Sequence, residues 1–350
     1  MSENYQVLAL KWRPKQFKDV VGQDHITTTL QKAFEKNRIA QAFLFAGPRG
    51  VGKTTTARLV ARSLNGAENP TTDYDLKSES VTDIIDGKSM DVIEIDGASN
   101  RGIDEIRELR ENIKFMPVSG KFKVIIIDEV HMLTVQAFNA LLKTLEEPPQ
   151  HVKFILATTD VHKVPQTIIS RCQRFDFLPL SNSTICDRLK FIAESENQSI
   201  DEKSLSLIAG KSEGSMRDAL SYLDQVLVLG DDIASDTVQE LLGVVPHEIL
   251  FSISDALHDK DGDKLMANLE IIRNKGYIVE DLLKDLILHF RNLSVMDFKN
   301  GLKLIGLDSE LSKKYSQSSY SWSHKDLIRL SNNFSTLYAS IRQFSDQYLL

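Results

Sequence analysis

Cysteine is nearly absent from this 350-residue chain: Cys172 and Cys186 are the only two. Two thiols cannot build a disulfide framework or a four-cysteine zinc site, so any essential metal must take oxygen ligands. No apolar run approaches the roughly 20 residues needed to span a bilayer. The start, Met1 to Lys11, lacks the basic-then-apolar layout of a secretory signal. These absences predict a cytosolic chain with no membrane partner. Excess positive charge is missing as well, with 42 Lys and Arg against 49 Asp and Glu. That balance argues against a chain that wraps nucleic acid by bulk electrostatics.

What is there is ordinary globular material. A composition of 42% hydrophobic and 26% charged residues excludes a disordered tail, a collagen or a coiled coil. At roughly 150 residues per domain the length predicts two or three domains. The charge is unevenly spread: residues 1–60 hold ten Lys and Arg against four Asp and Glu, whereas Gly66 to Asn100 hold two against nine. The basic block coincides with a glycine-rich loop, which points to a phosphate ligand rather than a polynucleotide.

From Gln41 to Arg174, β-rich runs alternate with amphipathic helical stretches, the pattern of an α/β fold with a parallel sheet covered on both faces. Strands are predicted at Ala42 to Ala46, Val92 to Ile95, Lys123 to Ile127, Lys153 to Ala157 and Arg174 to Phe177. Helices are predicted at Lys53 to Leu64, Ile103 to Ile113, Val135 to Leu145 and Gln166 to Ile169. Gly66 to Gly87 is polar, and reads as an exposed, mobile insertion with a short helix near Ser80 to Ile85. After Pro179 the β signal ends. Three short helical patterns follow from Ser181 to Gly243, and apolar stripes such as Leu282, Leu283, Leu286, Ile287 and Phe290 continue as helices beyond Pro246. The expected division is a nucleotide-binding domain over 1–179, a helical lid over 180–243 and a helical oligomerisation domain over 244–350.

Gly47-Pro-Arg-Gly-Val-Gly-Lys53-Thr54 satisfies G-x-x-x-x-G-K-[ST] between a predicted strand and the helix it opens. In that setting backbone N–H groups curl around a β-phosphate, Lys53 reaches the β and γ oxygens, and the Thr54 hydroxyl can ligate Mg²⁺. Gly47, Pro48, Arg49, Gly50, Val51, Gly52, Lys53, Thr54 and the next residue, Thr55, form the candidate nucleotide-binding set. Val124-Ile-Ile-Ile-Asp128-Glu129 is a buried strand ending in two carboxylates, and strand ends of such sheets face the ligand crevice. There Asp128 would hold Mg²⁺ through water, and Glu129 would polarise the attacking water. His131 fits a packing or capping role better than a catalytic one.

Tyr5-Gln-Val-Leu-Ala, Lys11-Trp-Arg-Pro14, Val20-Val-Gly-Gln23, the phosphate loop, Ile127-Asp-Glu-Val-His-Met132, Phe138-Asn-Ala-Leu-Leu-Lys-Thr-Leu-Glu-Glu-Pro-Pro149 and Leu156-Ala-Thr-Thr-Asp160 are specific literal stretches. Together they closely resemble the bacterial DNA polymerase III gamma/tau subunits, the clamp-loader ATPases of the AAA+ superfamily. The resemblance is dense from Tyr5 to about Gly243 and thin beyond it. It implies an ATPase motor that uses Mg·ATP to load a sliding clamp on primed DNA, working in the cytoplasm at replication forks. It also implies other clamp-loader subunits, the clamp, primer–template DNA and the replicative polymerase as partners. Any polymerase activity would belong to the holoenzyme, since this chain has no recognisable nucleotidyl-transfer site.

By the same resemblance, Ser170-Arg171-Cys172 matches a motif whose arginine reaches a neighbouring subunit's ATP. Gly214-Ser-Met-Arg217-Asp-Ala-Leu220 matches a lid motif whose arginine touches the chain's own γ-phosphate, and Thr159 stands where a polar residue reads that phosphate. Ala9, Arg13, Pro14, Val20 and Val21 match the segment that encloses adenine. Cys172 itself reads as a small buried residue. Relatives commonly carry four zinc-binding cysteines in the insertion. Here Gly66, Asp75, Ser78 and Val81 stand in their places, which predicts no zinc and a locally less stable segment.

Ser99-Asn-Arg-Gly102 and the helix with Arg107 and Arg110 carry two open readings, a DNA-facing helix start and a solvated helix with pairs such as Asp104 with Arg107. The third domain is expected to form a collar between subunits. Many gamma/tau chains continue into a tail that binds polymerase and helicase, and this one stops at Tyr348-Leu-Leu350 inside a helical pattern, as a short form or a piece of a longer chain would. Two alternatives are a non-hydrolysing delta-prime-like scaffold, opposed by intact Lys53-Thr54 and Asp128-Glu129, and another AAA+ DNA motor, opposed by the helical third domain.

Overall fold

The computed structural model describes residues 6–230, 235–296, 298 and 309–341. Tyr5 and the helical pattern around Tyr348 lie outside them. The chain divides into two compact units, Met1–Ile233 and Ala234–Leu350. The lid expected over 180–243 therefore falls largely with the nucleotide fold, and helix Ser235–Leu241 goes with the second unit.

The first unit begins with a short α1 (Leu8–Lys11) and is built on five parallel strands, β1 (Ala42–Ala46), β2 (Val92–Asp96), β3 (Lys123–Asp128), β4 (Val152–Thr158) and β5 (Gln173–Asp176), in the order β2-β3-β4-β1-β5. Alternate side chains enter opposite layers. Phe43 and Phe45 join Val124, Ile126, Ile155 and Ala157 under α2 (Asp24–Glu35) and α3 (Lys53–Asn65). Ala42 and Leu44 join Ile125, Ile127, Phe154 and Leu156 under α5 (Ile103–Asn112), α6 (Val135–Glu146) and α7 (Gln166–Ile169). Helices on both faces explain why the central strands read as continuous apolar runs rather than alternating ones. This is the predicted α/β class. The predicted ends shift by about one residue, and the shift matters: β3 extends to Asp128 and β4 to Thr158, so polar residues end the ladder at one edge.

Two expectations need correction. The insertion is not simply exposed: α4 (Glu79–Ile85) buries Val81, and Tyr74 is buried with its hydroxyl donating to the Lys15 carbonyl at 2.9 Å. A Cβ on Gly66 would come 2.7 Å from Val81 Cγ2, so apolar packing draws two of the four cysteine-equivalent positions together. Among the described residues, the region from Ser181 to Gly243 holds four helices rather than three: α8 (Asn182–Ser195), α9 (Glu202–Lys211), α10 (Met216–Leu227) and α11 (Ser235–Leu241). The missed break after α8 has Asn197 in the left-handed region at φ 58°, a conformation asparagine tolerates without a glycine to announce it. Ser181, Asp201 and Ser215 cap α8, α9 and α10 by accepting backbone N–H groups.

In the second unit, α12 (His247–Asp259), α13 (Gly262–Asn274), α14 (Val279–Met296), α15 (Ser309–Ser319) and α16 (His324–Ser340) share an apolar core. Phe251, Phe290, Tyr315 and Leu327 lie at its centre, with Phe290 stacked on Phe334 at 5.5 Å. Among the described residues no helix is long and apolar enough to cross a membrane.

Candidate nucleotide site

The carboxyl ends of β1, β4 and β3 lie side by side and carry the phosphate loop, Thr158-Thr159 and Asp128-Glu129. The loop is pinned to the sheet where Gly47 N–H donates to the Thr158 carbonyl at 3.2 Å. Gly50 has φ +74°, and a Cβ there would collide with Ser215 Oγ at the cap of α10, so glycine is required both for the turn and for the lid's approach.

Lys53 is only 5% exposed, and its ammonium donates to the carbonyls of Gly47 at 2.9 Å and Pro48 at 2.6 Å. Burial lowers its pKa, with Glu129 and Asp128 pulling the other way. Thr54 Oγ1 donates to Asp128 Oδ2 at 2.6 Å, and the other Asp128 oxygen accepts Glu129 N–H at 2.9 Å. A hydroxyl and a carboxylate in contact fit a hard cation that takes oxygen ligands and completes its shell with phosphate and water.

Glu129 sits at φ 44°, a left-handed backbone for a non-glycine residue. Its Oε2 accepts Thr159 Oγ1–H at 2.7 Å and Thr159 N–H at 3.2 Å, and lies 3.2 Å from His131 Nδ1. Thr158 Oγ1 is 3.0 Å from the same His131 nitrogen. His131 therefore packs against the Glu129 carboxylate.

A cavity of about 410 Å³ opens beside these groups. Of the predicted set, Ala9, Arg13, Pro14, Val20, Val21, Arg49, Gly50, Val51, Gly52, Lys53, Thr54, Thr55, Asp128, Glu129 and Arg217 line it. Gly47 and Pro48 act from behind through the carbonyls that hold Lys53, and Thr159 through its hold on Glu129. Arg171 is not among the lining residues. It lies on the other layer, past α7, paired with Glu146 at 2.7 Å. Cys172 packs partly buried nearby, and burial pushes its thiol pKa up to about 12.

Sequence reasoning missed Trp12, Asp19, Arg188 and Met216 as lining residues. Trp12 Nε1 donates to Glu196 Oε1 at 2.6 Å, Lys11 pairs with the other Glu196 oxygen at 2.6 Å, and the Arg188 guanidinium lies over the Trp12 and Phe191 rings. These contacts tie the arm carrying Ala9 and Arg13 to the lid helix α8. Trp12 was visible inside Lys11-Trp-Arg-Pro14, whereas an arginine on an amphipathic helix gives no signal. The lid meets the loop directly too: Arg217 N–H donates to the Gly50 carbonyl at 3.3 Å, and Arg49 pairs with Asp218 at 3.3 Å.

A family model described as DNA polymerase III, delta subunit, matches residues 22–181, and one described as DNA polymerase III clamp loader subunit, ATPase lid domain, matches 184–232. The DNA polymerase III subunit gamma of Buchnera aphidicola subsp. Acyrthosiphon pisum is 44% identical over 292 residues, 83% of this chain and 81% of that protein. The chain belongs to the DNA polymerase III gamma/tau family. The tau subunits of Bacillus subtilis and Escherichia coli K12 are 44% and 43% identical, over 86% and 81% of this chain, but only 54% and 44% of their own lengths are matched. The chain thus spans about half the length of these tau relatives. Among solved structures, the Thermotoga maritima RuvB Holliday junction branch migration motor aligns with a TM-score of 0.50 at 19% identity, over 69% of this chain and 79% of that one. That likeness shows the fold alone, a parallel sheet covered by helices. Family and fold class are as the motifs implied.

Proposed function

We propose that this chain is an ATPase motor subunit of the DNA polymerase III clamp loader, which binds and hydrolyses ATP to place a sliding clamp on primed DNA. The observation that carries the reading is the convergence of Lys53, Thr54, Asp128 and Glu129 at one sheet edge beneath a lid that supplies Arg217. A delta-prime-like scaffold would not need this set complete.

The chain's polar contacts suggest the sequence of events. Lys53 exchanges two loop carbonyls for β and γ oxygens, a gain for a buried cation that has only neutral hydrogen-bond partners. Thr54 and Asp128 would hold Mg²⁺, which offsets phosphate charge when bound. Glu129 leaves Thr159 and orients the attacking water, and Thr159, so released, is free to read the γ-phosphate. Arg217 enters from α10, so the lid's angle follows the phosphate. Ala9, Arg13, Pro14, Val20 and Val21 enclose the base, and Arg171 stabilises γ-phosphate charge in a neighbouring subunit's site.

Partners in this reading are other clamp-loader subunits, the clamp, primer–template DNA and the replicative polymerase, with the second unit as the collar. For DNA, Arg101 is exposed and donates through Nε to the Ala98 carbonyl at 2.9 Å, while the alternative pairing of Asp104 with Arg107 is present at 3.0 Å. Arg101→Ala should reduce the log–log salt slope of DNA binding by about 1 if the residue meets a phosphate; an unchanged slope removes it from the DNA face.

ATP turnover with clamp and primed DNA tests the main reading. The assembled wild type should turn over, and Lys53→Ala should lose at least about a hundredfold. No turnover, or equal turnover, would favour the scaffold.

A further inference from the structure

We infer that Glu146 is a positioning residue for Arg171, holding its guanidinium ready for the site of the neighbouring subunit; the inference rests on the reading of Arg171 given above. The first observation is electrostatic. Glu146 is the last residue of α6 and Glu147 is its C-cap, so two carboxylates sit where the helix dipole disfavours negative charge. Such an end calls for a nearby cation, and Arg171 supplies it from the segment after α7, with Nη2 at 2.7 Å from Glu146 Oε1.

The second observation is geometric. Arg171 Nη1 also donates to the Thr167 carbonyl at 2.7 Å, so the terminal nitrogens are held on one side by a carboxylate and on the other by a turn of α7. Even so, the side chain keeps 34% of its surface in solvent and Glu146 keeps 49%. A free arginine would sample many rotamers and lose that freedom on entering a partner's site. Here part of the ordering is done before the partner arrives. Because both groups are solvated, the pair itself is weak and can be shared with a phosphate rather than having to be broken at high cost.

The test uses the reconstituted clamp loader with clamp and primed DNA. Glu146→Ala should lower kcat about three- to tenfold, the scale of ordering one rotamer-rich side chain, with KM for ATP unchanged because the chain's own pocket is untouched. Glu146→Gln, which keeps a hydrogen-bond acceptor, should fall between. In an Arg171→Ala background, Glu146→Ala should add nothing.

Mixed assemblies separate positioning from general damage. Lys53→Ala chains combined with Arg171→Ala chains regain turnover where an intact pocket meets an intact arginine. Glu146→Ala placed on the Lys53→Ala chain should cut the regained turnover, and placed on the Arg171→Ala chain should not. A normal or raised kcat for Glu146→Ala, or equal loss from both placements, overturns the role of Glu146 while Arg171→Ala remains slow. If Arg171→Ala itself is as fast as wild type, the reading of Arg171 fails first.

Discussion

Two polar clusters, one in each unit, are held in opposite ways. At the sheet edge of the first, each buried or half-buried polar group has a partner that a ligand could replace: Lys53 on loop carbonyls, Thr54 on Asp128, Glu129 on Thr159. In the second unit, His289 is 1% exposed inside an aromatic cluster, with Nδ1 2.9 Å from Tyr315 Oη and Nε2 without a hydrogen-bond partner among the described residues. Burial, aided by His247 and Lys314, pushes its pKa down to about 3. One arrangement is a set of exchangeable contacts, and the other is fixed packing. The difference teaches that a buried polar group in this chain marks a candidate site where its partners are replaceable and it opens onto a cavity, not merely where it is buried.

If the site contacts are exchangeable, Glu129→Gln should lower kcat by about 10² to 10⁴ while ATP affinity holds, since the amide can still meet Thr159 but cannot accept a proton; matched losses in kcat and affinity would put Glu129 in binding instead. If the second unit's contact is fixed, acid should destabilise it. A histidine with a depressed folded pKa gives stability that is complete above its ordinary value of 6.5 and declines as pH falls from there toward 3. Between pH 7 and pH 5 the loss should be about 2 kcal/mol, read from urea melts with Trp322 as reporter in a Trp12→Phe background. A pH-independent midpoint would show that His289 is not buried neutral.

Smaller effects sharpen the boundary between site and scaffold. Gly50→Ala should cost about 1–2 kcal/mol in thermal stability from the left-handed backbone, and should weaken ATP binding by pushing Ser215 and α10 away. An unchanged ATP affinity would separate the lid from the loop. Arg49→Ala should change stability by less than about 1 kcal/mol, because its pair with Asp218 is largely solvated.

Local signals carried most of the architecture. The apolar runs placed all five strands, and the glycine-lysine-threonine spacing placed the loop, because each depends on neighbours in the chain. Asp128 and Glu129 were legible as a strand end. The hold of Thr159 and His131 on Glu129 was not, since it joins two strands through register. Arg188 reaches the cavity, and Glu196 holds Trp12 and Lys11, only through the packing of α8 on the arm, and the Glu146–Arg171 pair joins residues 25 apart in the chain. The insertion was misjudged because Tyr74 and Val81 are isolated apolar residues in a polar stretch, and only their packing on α3 and Lys15 makes them core.

The most direct measurement of the central claim is equilibrium binding of Mg·ATP to the purified chain by calorimetry, beside Lys53→Ala. The account predicts one nucleotide per chain and at least about hundredfold weaker binding in the variant, the loss of a charge-assisted contact from a buried site. Absence of binding, or equal affinity in the two proteins, would contradict it.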